Sequence, residues 1–223
     1  MRTSTKKATT SRSNTGTAKK STATNGQKKK APGNTKTSKQ QQTTPFEKLF
    51  EDLLKDVYWA EQALVGALQK MSQAATTDEL QSALEDHKFV TQKHISRLDR
   101  VFALLGKKPE GKKCDAMAGL IKEGEHVVEE TPEGTMTRDA GLIIAAQKVE
   151  HYEIAAYGSL VQVALTLGHN QAAYLLEKTL LEEEYSDYML TEIAETMINP
   201  MADSEDETSG EEVQEEELAE EEA

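Results

Sequence analysis

Along the centre of the chain, apolar residues recur in alternating steps of three and four, the spacing that lines one face of a helix. Four such stripes can be traced. The first runs through Phe50, Leu54, Val57, Glu61, Leu64, Leu68 and Met71. The second takes Leu80, Leu84, His87, Thr91, His94, Leu98, Val101 and Leu105. The third takes Leu142, Ala146, Val149, Glu153, Ala156, Leu160, Val163 and Leu167, and the fourth Leu176, Leu180, Glu183, Asp187, Leu190, Ala194 and Met197. Start and stop signals frame them. Thr44-Pro45-Phe46-Glu47 offers a capping Thr, a Pro suited to the first helical position and a Glu that closes a capping box. Thr76-Thr77-Asp78-Glu79 opens a second helix, which Gly106 and Pro109 end. Asp139 is expected to open a third that Gly168 stops, and Asn170 a fourth that Asn199-Pro200 stops. Each predicted helix is roughly 28–31 residues long, about 42–46 Å at 1.5 Å per residue.

Short links join the first helix to the second and the third to the fourth. The link at 107–137 is long and carries an amphipathic piece near Asp115–Glu129, with Met117, Leu120, Ile121, Val127 and Val128. No strand signal interrupts this pattern. The prediction is all-α: an antiparallel four-helix bundle with a long crossover containing a short fifth helix, as in ferritin-like bundles.

Charge divides the chain in three. Residues 1–44 hold eleven Lys/Arg, seventeen Ser/Thr and no acid, and residues 203–223 hold twelve Asp/Glu and no base. The remainder, 45–202, is the predicted bundle. The net charge of −13 and pI near 4.9 therefore conceal a basic arm. Neither tail has side chains enough to offset its ordering entropy, so both are expected to be disordered. The plain reading of the tails is solvation. The sharper one is that Lys6, Lys7, Lys19, Lys20, Lys28, Lys29 and Lys30 contact a nucleic-acid backbone, weakly and without sequence preference because no aromatic residue interleaves them. A lone Cys114 excludes a disulfide framework within one chain and a Cys-based zinc site. No apolar run reaches transmembrane length and no secretory pattern opens the chain, so the expectation is a cytoplasmic protein without membrane contact.

The breaks in the stripes carry the chemistry. Each stripe is apolar at its ends and polar near its midpoint: Glu61 in the first, His87, Thr91 and His94 in the second, Glu153 in the third, Glu183 and Asp187 in the fourth. In an antiparallel bundle of equal helices the four midpoints share one level. Burying clustered carboxylates is costly unless divalent cations sit among them, and ionised oxygen with neutral imidazole is a donor set for Fe, Mn or Zn. Taken singly, each residue has a plainer reading. A stripe Glu can reach water at an edge, a core His can be satisfied by hydrogen bonds, and Asp187 can pair rather than ligate. Glu150, one turn before Glu153, is a further candidate; His151 points elsewhere on the helix. Glu182 and Glu184 read as a solvated face, and His126 and His169 have no assigned role.

Three segments resemble the YciE/YciF-type ferritin-like stress proteins: Asp56-Val-Tyr-Trp-Ala-Glu61-Gln, Cys114-Asp-Ala-Met-Ala-Gly-Leu-Ile, and Ala145-Ala-Gln-Lys-Val-Glu150-His-Tyr-Glu153-Ile-Ala-Ala-Tyr-Gly158. The resemblance covers about 46–199 and leaves out the tails. It implies a helical bundle, commonly dimeric, linked to stress, with a metal site and no settled catalytic activity. Carried over residue by residue, it points to Glu61, His87, Glu150, Glu153, Glu183 and Asp187, while at His94 family members carry varied polar residues. The chain departs from the wider di-iron pattern, which places Glu-x-x-His pairs on two helices. Its second helix offers Thr91-Gln-Lys-His94, with Thr in the Glu position, and its fourth offers Glu183 and Asp187 with no His.

Two function classes follow. One is a stress-associated protein binding Fe or Mn, before Zn, at one or two metal positions formed by Glu61, His87, His94, Glu150, Glu153, Glu183 and Asp187, and handling peroxide or the metal itself. The other is a metal-free helical scaffold whose polar layer fixes register and whose charged tails recruit partners such as DNA. In either case a homodimer is expected, with 115–129 contributing to packing or to the interface.

Overall fold

A computed structural model describes residues 43–205. Five α-helices form there: α1 (Pro45–Ala74), α2 (Asp78–Leu104), α3 (Asp115–Glu130), α4 (Met136–Thr166) and α5 (Asn170–Ile193). A single π-helical turn, Ala194–Ile198, extends α5, and residues 199–205 continue as helix. No strand occurs among the described residues. Of the tails expected to be disordered, 1–44 and 203–223, the stretches 1–42 and 206–223 lie outside them.

The expected helix starts have clear hydrogen-bond causes. Thr44 Oγ1 accepts from the Glu47 amide at 3.1 Å and Glu47 Oε2 accepts from the Thr44 amide at 2.6 Å, so the capping box at α1 is reciprocal. Thr77 accepts from Leu80 to cap α2, and Cys114 Sγ takes the capping role for α3, accepting from Met117 at 3.4 Å. Gly106 and Gly168, at φ 68° and 78°, make the left-handed turns that follow α2 and α4.

Two boundaries differ from expectation. α4 begins at Met136 behind Thr135, whose Oγ1 accepts from Arg138. Asp139 is therefore already inside the helix, fully buried, and it serves a different element. Its carboxylate accepts from the Thr76 and Thr77 amides at 2.6 and 2.9 Å and from Thr77 Oγ1 at 2.8 Å, capping α2 from across the bundle. At the far end, Asn199-Pro200 does not stop the last helix. The Asn199 amide donates five residues back to Ala194, and this widened turn accommodates the register change that Pro200, lacking an N–H, imposes. The helix then reaches Glu205, whose carboxylate accepts from the amides of Met136 and Thr137, a favourable anion position at the start of α4. Residues 203–205 thus belong to the folded part rather than to the acidic tail.

α1 packs on α2, α2 on α5, α5 on α4 and α4 on α1, closing a ring of four. The starts of α2 and α4 meet at Asp139, so these two helices run parallel and the crossover must traverse the bundle's length. It does so along α1: the Lys112 amide donates to the Lys55 carbonyl, Lys55 pairs with Glu110, and Lys70 pairs with Glu125 at 2.8 Å. α3 packs against α4 and α1. At Gly141 a Cβ would lie 2.7 Å from Val127 Cγ1, so any larger residue would force the Val127 side chain or α3 to shift. The core falls into two apolar clusters, one around Leu64, Leu68, Leu84 and Leu142, the other around Phe50, Leu54, Leu98 and Leu160. Between them lies a polar layer. No helix among the described residues is long and apolar enough to cross a membrane.

Candidate metal centre

The polar layer is built from one face of each bundle helix. α1 contributes Glu61. α2 contributes His87, Thr91 and His94, spaced four and three apart so that all three point inward. α4 contributes Glu150 and Glu153, and α5 contributes Glu183. Glu61, His94, Glu150 and Glu183 are fully buried, Glu153 is 1% exposed and His87 6%.

These side chains assemble into two overlapping groups. His87, Glu150, Glu153 and Glu183 form one, and Glu61, His94 and Glu183 the other; within each group one ligand atom per residue lies within 4.8 Å of the rest. Glu183 belongs to both. His94 Nδ1 is 2.9 Å from Glu183 Oε1 and 3.4 Å from Glu61 Oε1. His87 Nδ1 is 3.2 Å from Glu150 Oε1, and its Nε2 is 3.7 Å from Glu183 Oε2.

Proximity is not satisfaction. Glu61 Oε2, His87 Nε2, Thr91 Oγ1, His94 Nδ1, Asp187 Oδ1 and both oxygens of Glu150, Glu153 and Glu183 are buried without a hydrogen-bond partner. Native interiors pair nearly all such atoms, and each orphan costs about 1–3 kcal/mol. Here, among the described residues, the orphans gather in one layer and are acceptors or imidazole nitrogens. That donor set fits a divalent cation.

Protonation follows from the same crowding. Burial pushes the Glu150 carboxyl up to about 8, reinforced by Glu183 and Asp187 and opposed by His87. Burial and the charges of Glu183 and Glu61 drive Glu153 well above the usual carboxylate range. Glu61 is raised chiefly by burial. Glu183 behaves oppositely: burial would raise it, but His87 and His94 override that and draw it down to about 2. For His94, burial favours the neutral ring, yet Glu183 and Glu61 push it up to about 10. Without a cation the layer is therefore held together by shared protons and by an anionic Glu183 between two imidazoles.

Two side chains that support the layer were not expected from the stripes. The Tyr157 hydroxyl, fully buried, donates to Glu61 Oε1. Glu182, read from sequence as part of a solvated face, instead accepts from His94 Nε2 at 2.8 Å and holds a bidentate pair with Arg97, whose Nη1 also donates to Thr179. Anchoring Nε2 turns Nδ1 of His94 into the layer, the usual way an outer carboxylate orients a ligating histidine. Asp187 stands at the edge. It is half-buried, lies in neither ligand group, and faces the exposed His151 at 3.2 Å. Glu184 is exposed, and His169 precedes α5 and stacks on Phe50.

Residues 45–203 match the family described as "Domain of unknown function (DUF892)". The chain is 44% identical over 160 residues to Protein YciF of Escherichia coli (strain K12), covering 71% of this chain and 96% of that protein. Among solved structures it is similar to the E. coli stress protein YciF, with a TM-score of 0.66 at 44% identity over 69% of this chain and 97% of that one. It is also similar to YcfI from Rhodopseudomonas palustris, with a TM-score of 0.65 at 41% identity over 68% and 96% of the two chains. A protein from Xanthomonas campestris pv. campestris, 21% identical, shares the fold with a TM-score of 0.56 over 72% and 98% of the two chains. The chain belongs to the DUF892 family and has the ferritin-like bundle of its YciF-type members.

Proposed function

We propose that this DUF892-family chain is a stress-associated metal protein that holds two Fe or Mn ions in its polar layer and handles peroxide or the metal itself. The stress association comes from its similarity to the E. coli stress protein YciF. The observation that carries the metal reading is the gathering of unpartnered buried acceptors on four helices into one layer. His87, Glu150, Glu153 and Glu183 would hold one ion, and Glu61, His94 and Glu183 the other, with Glu183 shared. The four carboxylates, fully ionised, balance two divalent charges. Oxygen donors with two imidazoles and no thiolate form a donor set that Fe and Mn accept. When bound, such ions supply redox capacity and open coordination positions.

The chain's own residues prepare the layer. Glu182 and Arg97 fix the His94 ring, Tyr157 holds one oxygen of Glu61, and Glu150, Glu153 and His94 would release protons on binding a cation. Asp187 and His151 lie outside the ligand set in this reading. Metal analysis of protein purified without chelator tests it, together with melting in added Fe(II) or Mn(II). Bound metal and a raised melting temperature are expected, both lost in a Glu61→Ala/Glu153→Ala variant. No bound metal and an unmoved melting temperature would refute it.

One specific observation favours the scaffold reading: Thr91, fully buried, occupies the position where a di-iron bundle carries Glu. Two partner assignments belong to either reading: a homodimer, and sequence-blind contact of the 1–44 arm with DNA. They rest on family resemblance and on the arm's eleven bases, respectively.

A further inference from the structure

The polar layer is sealed by the two apolar clusters above and below it, and His87 reaches a surface cavity. A cavity of about 170 Å³ lies between α2 and α5, and of the ligand candidates only His87 lines it. Leu84, Val90, Met189 and Leu190 form apolar walls, while the exposed Asp86 and Tyr185 stand at the mouth. The volume is well above the roughly 10–15 Å³ that one water needs. Behind the His87 ring, Glu150 and Glu183 begin at 3.2 and 3.7 Å. A molecule touching that ring from the cavity is therefore one side chain from the layer.

We propose that this cavity is the entry port of the metal centre, with His87 as its floor, and that it admits small uncharged oxidants of the size of dioxygen or hydrogen peroxide. The port's purpose rests on the metal reading above; its existence as a passage does not. The lining selects against charge in both directions. A hydrated cation would find side-chain oxygen at Asp86, Tyr185 and Ser186, but would have to shed water along Leu84, Val90 and Met189, which return no ligands. An anion would meet Asp86 at the mouth and the carboxylates behind His87. A small neutral molecule pays neither cost.

Dissolved dioxygen is itself a paramagnetic probe of the passage. In the full-length, metal-free protein, dioxygen under pressure should shift the His87 ring resonances several-fold more than those of fully buried His94. A negatively charged paramagnetic chelate should perturb exposed His151 and leave His87 unchanged. Filling the cavity from half-buried positions, with Ala83→Phe or Val90→Phe, should at least halve the His87 response at a wild-type melting temperature, and Met189→Ala should increase it. A His87 response no larger than that of His94, one insensitive to both fillings in folded variants, or one reproduced by the charged chelate would overturn the port. Melting in Mn(II), measured in parallel, keeps the two readings apart. A metal-induced rise without a dioxygen response at His87 refutes the port alone, whereas a dioxygen response without a metal-induced rise removes the metal reading and with it the port's purpose.

Discussion

Replacing Glu153 by leucine should make the metal-free protein more stable and the metal-loaded protein less so. Glu153 is 1% exposed, and neither of its oxygens has a hydrogen-bond partner. Its pKa is driven well above the ordinary carboxylate value, so without metal it is buried as a neutral, unbonded acid. Such a group costs about 1–3 kcal/mol, and Glu153→Leu removes the cost at similar volume. For a domain of this size about 2–4 °C accompany each kcal/mol, so the melting temperature in chelator should rise by about 2–12 °C. With metal the order reverses. An ion held at a thousand times its dissociation constant adds about 4.1 kcal/mol to the wild type, and the variant, missing one of four ligands at that position, forfeits most of it. The assay is thermal melting of both proteins in chelator and in excess Mn(II), with unfolding in urea for free energies. A loss of more than about 1 kcal/mol by the metal-free variant would show that the carboxyl stabilises the metal-free fold, as a register-fixing layer would, and the reasoning would fail.

The pH dependence of the metal-free protein should run in one direction between pH 5 and 9. Glu150 titrates near 4.5 when unfolded and near 8 when folded, and His94 near 6.5 and near 10, so the folded state keeps protons that the unfolded state has lost, and stability falls as pH rises through both windows. Glu183, drawn down to about 2, contributes only below 4.5 and does not alter that sign. Melting in chelator across the range checks this, and a flat or rising profile contradicts it. Asp139→Ala should cost about 2–5 kcal/mol in urea unfolding, because three half-buried donors at the start of α2 lose a buried charged acceptor; a loss below about 1 kcal/mol would mean that water replaces the cap. Sedimentation of the full chain at micromolar concentration should give twice the 24.6 kDa chain mass, and a clean single-chain mass would exclude the homodimer. DNA affinity at low salt should vanish when 1–44 is deleted and tighten when the acidic residues 206–223 are deleted; equal affinities for all three proteins would assign both tails to solvation.

The bundle was legible because its signals are local and redundant. The reciprocal box at Thr44 and Glu47, the left-handed glycines 106 and 168, and the short α3 all follow from residues within a few positions of the feature. The two misplaced boundaries share a different cause. Asp139 looks like a cap because its side chain suits one, and it is one, but for α2 rather than for its own helix. Pro200 looks like a stop because an α-helix cannot absorb it, and here the chain leaves α geometry for one turn at Ala194–Ile198. In both cases the deciding partner is distant in sequence or lies in a rarer backbone state. Neither is visible to a rule that weighs a residue against its neighbours.

The candidate site divides along the same line, and the reason is geometric. Steps of four and three average 3.5 residues, whereas a straight helix turns every 3.6, so a stripe traced from one end drifts about 20° per heptad. On α4 the trace begins on the buried face at Leu142 and Ala146 and still meets it at Glu153. It then predicts Ala156 and Val163 where the fully buried positions are Tyr157 and Ala164. On α5 the error is of another kind, a step of four taken where the buried face steps by three: the trace selects Leu180 where Thr179 is buried, and it gives Asp187 the same weight as Glu183, although Asp187 is half-exposed. The breaks at Glu61, His87, His94, Glu153 and Glu183 lie within two heptads of where their traces begin, before the drift amounts to a whole position, which is why the stripes could group them. Tyr157 was recoverable, lying four residues beyond Glu153 on the same face. Glu182 was not: its partners are His94 and Arg97 on another helix, and only the packing of α2 against α5 turns an apparently solvated acid into the group that aims a ligand.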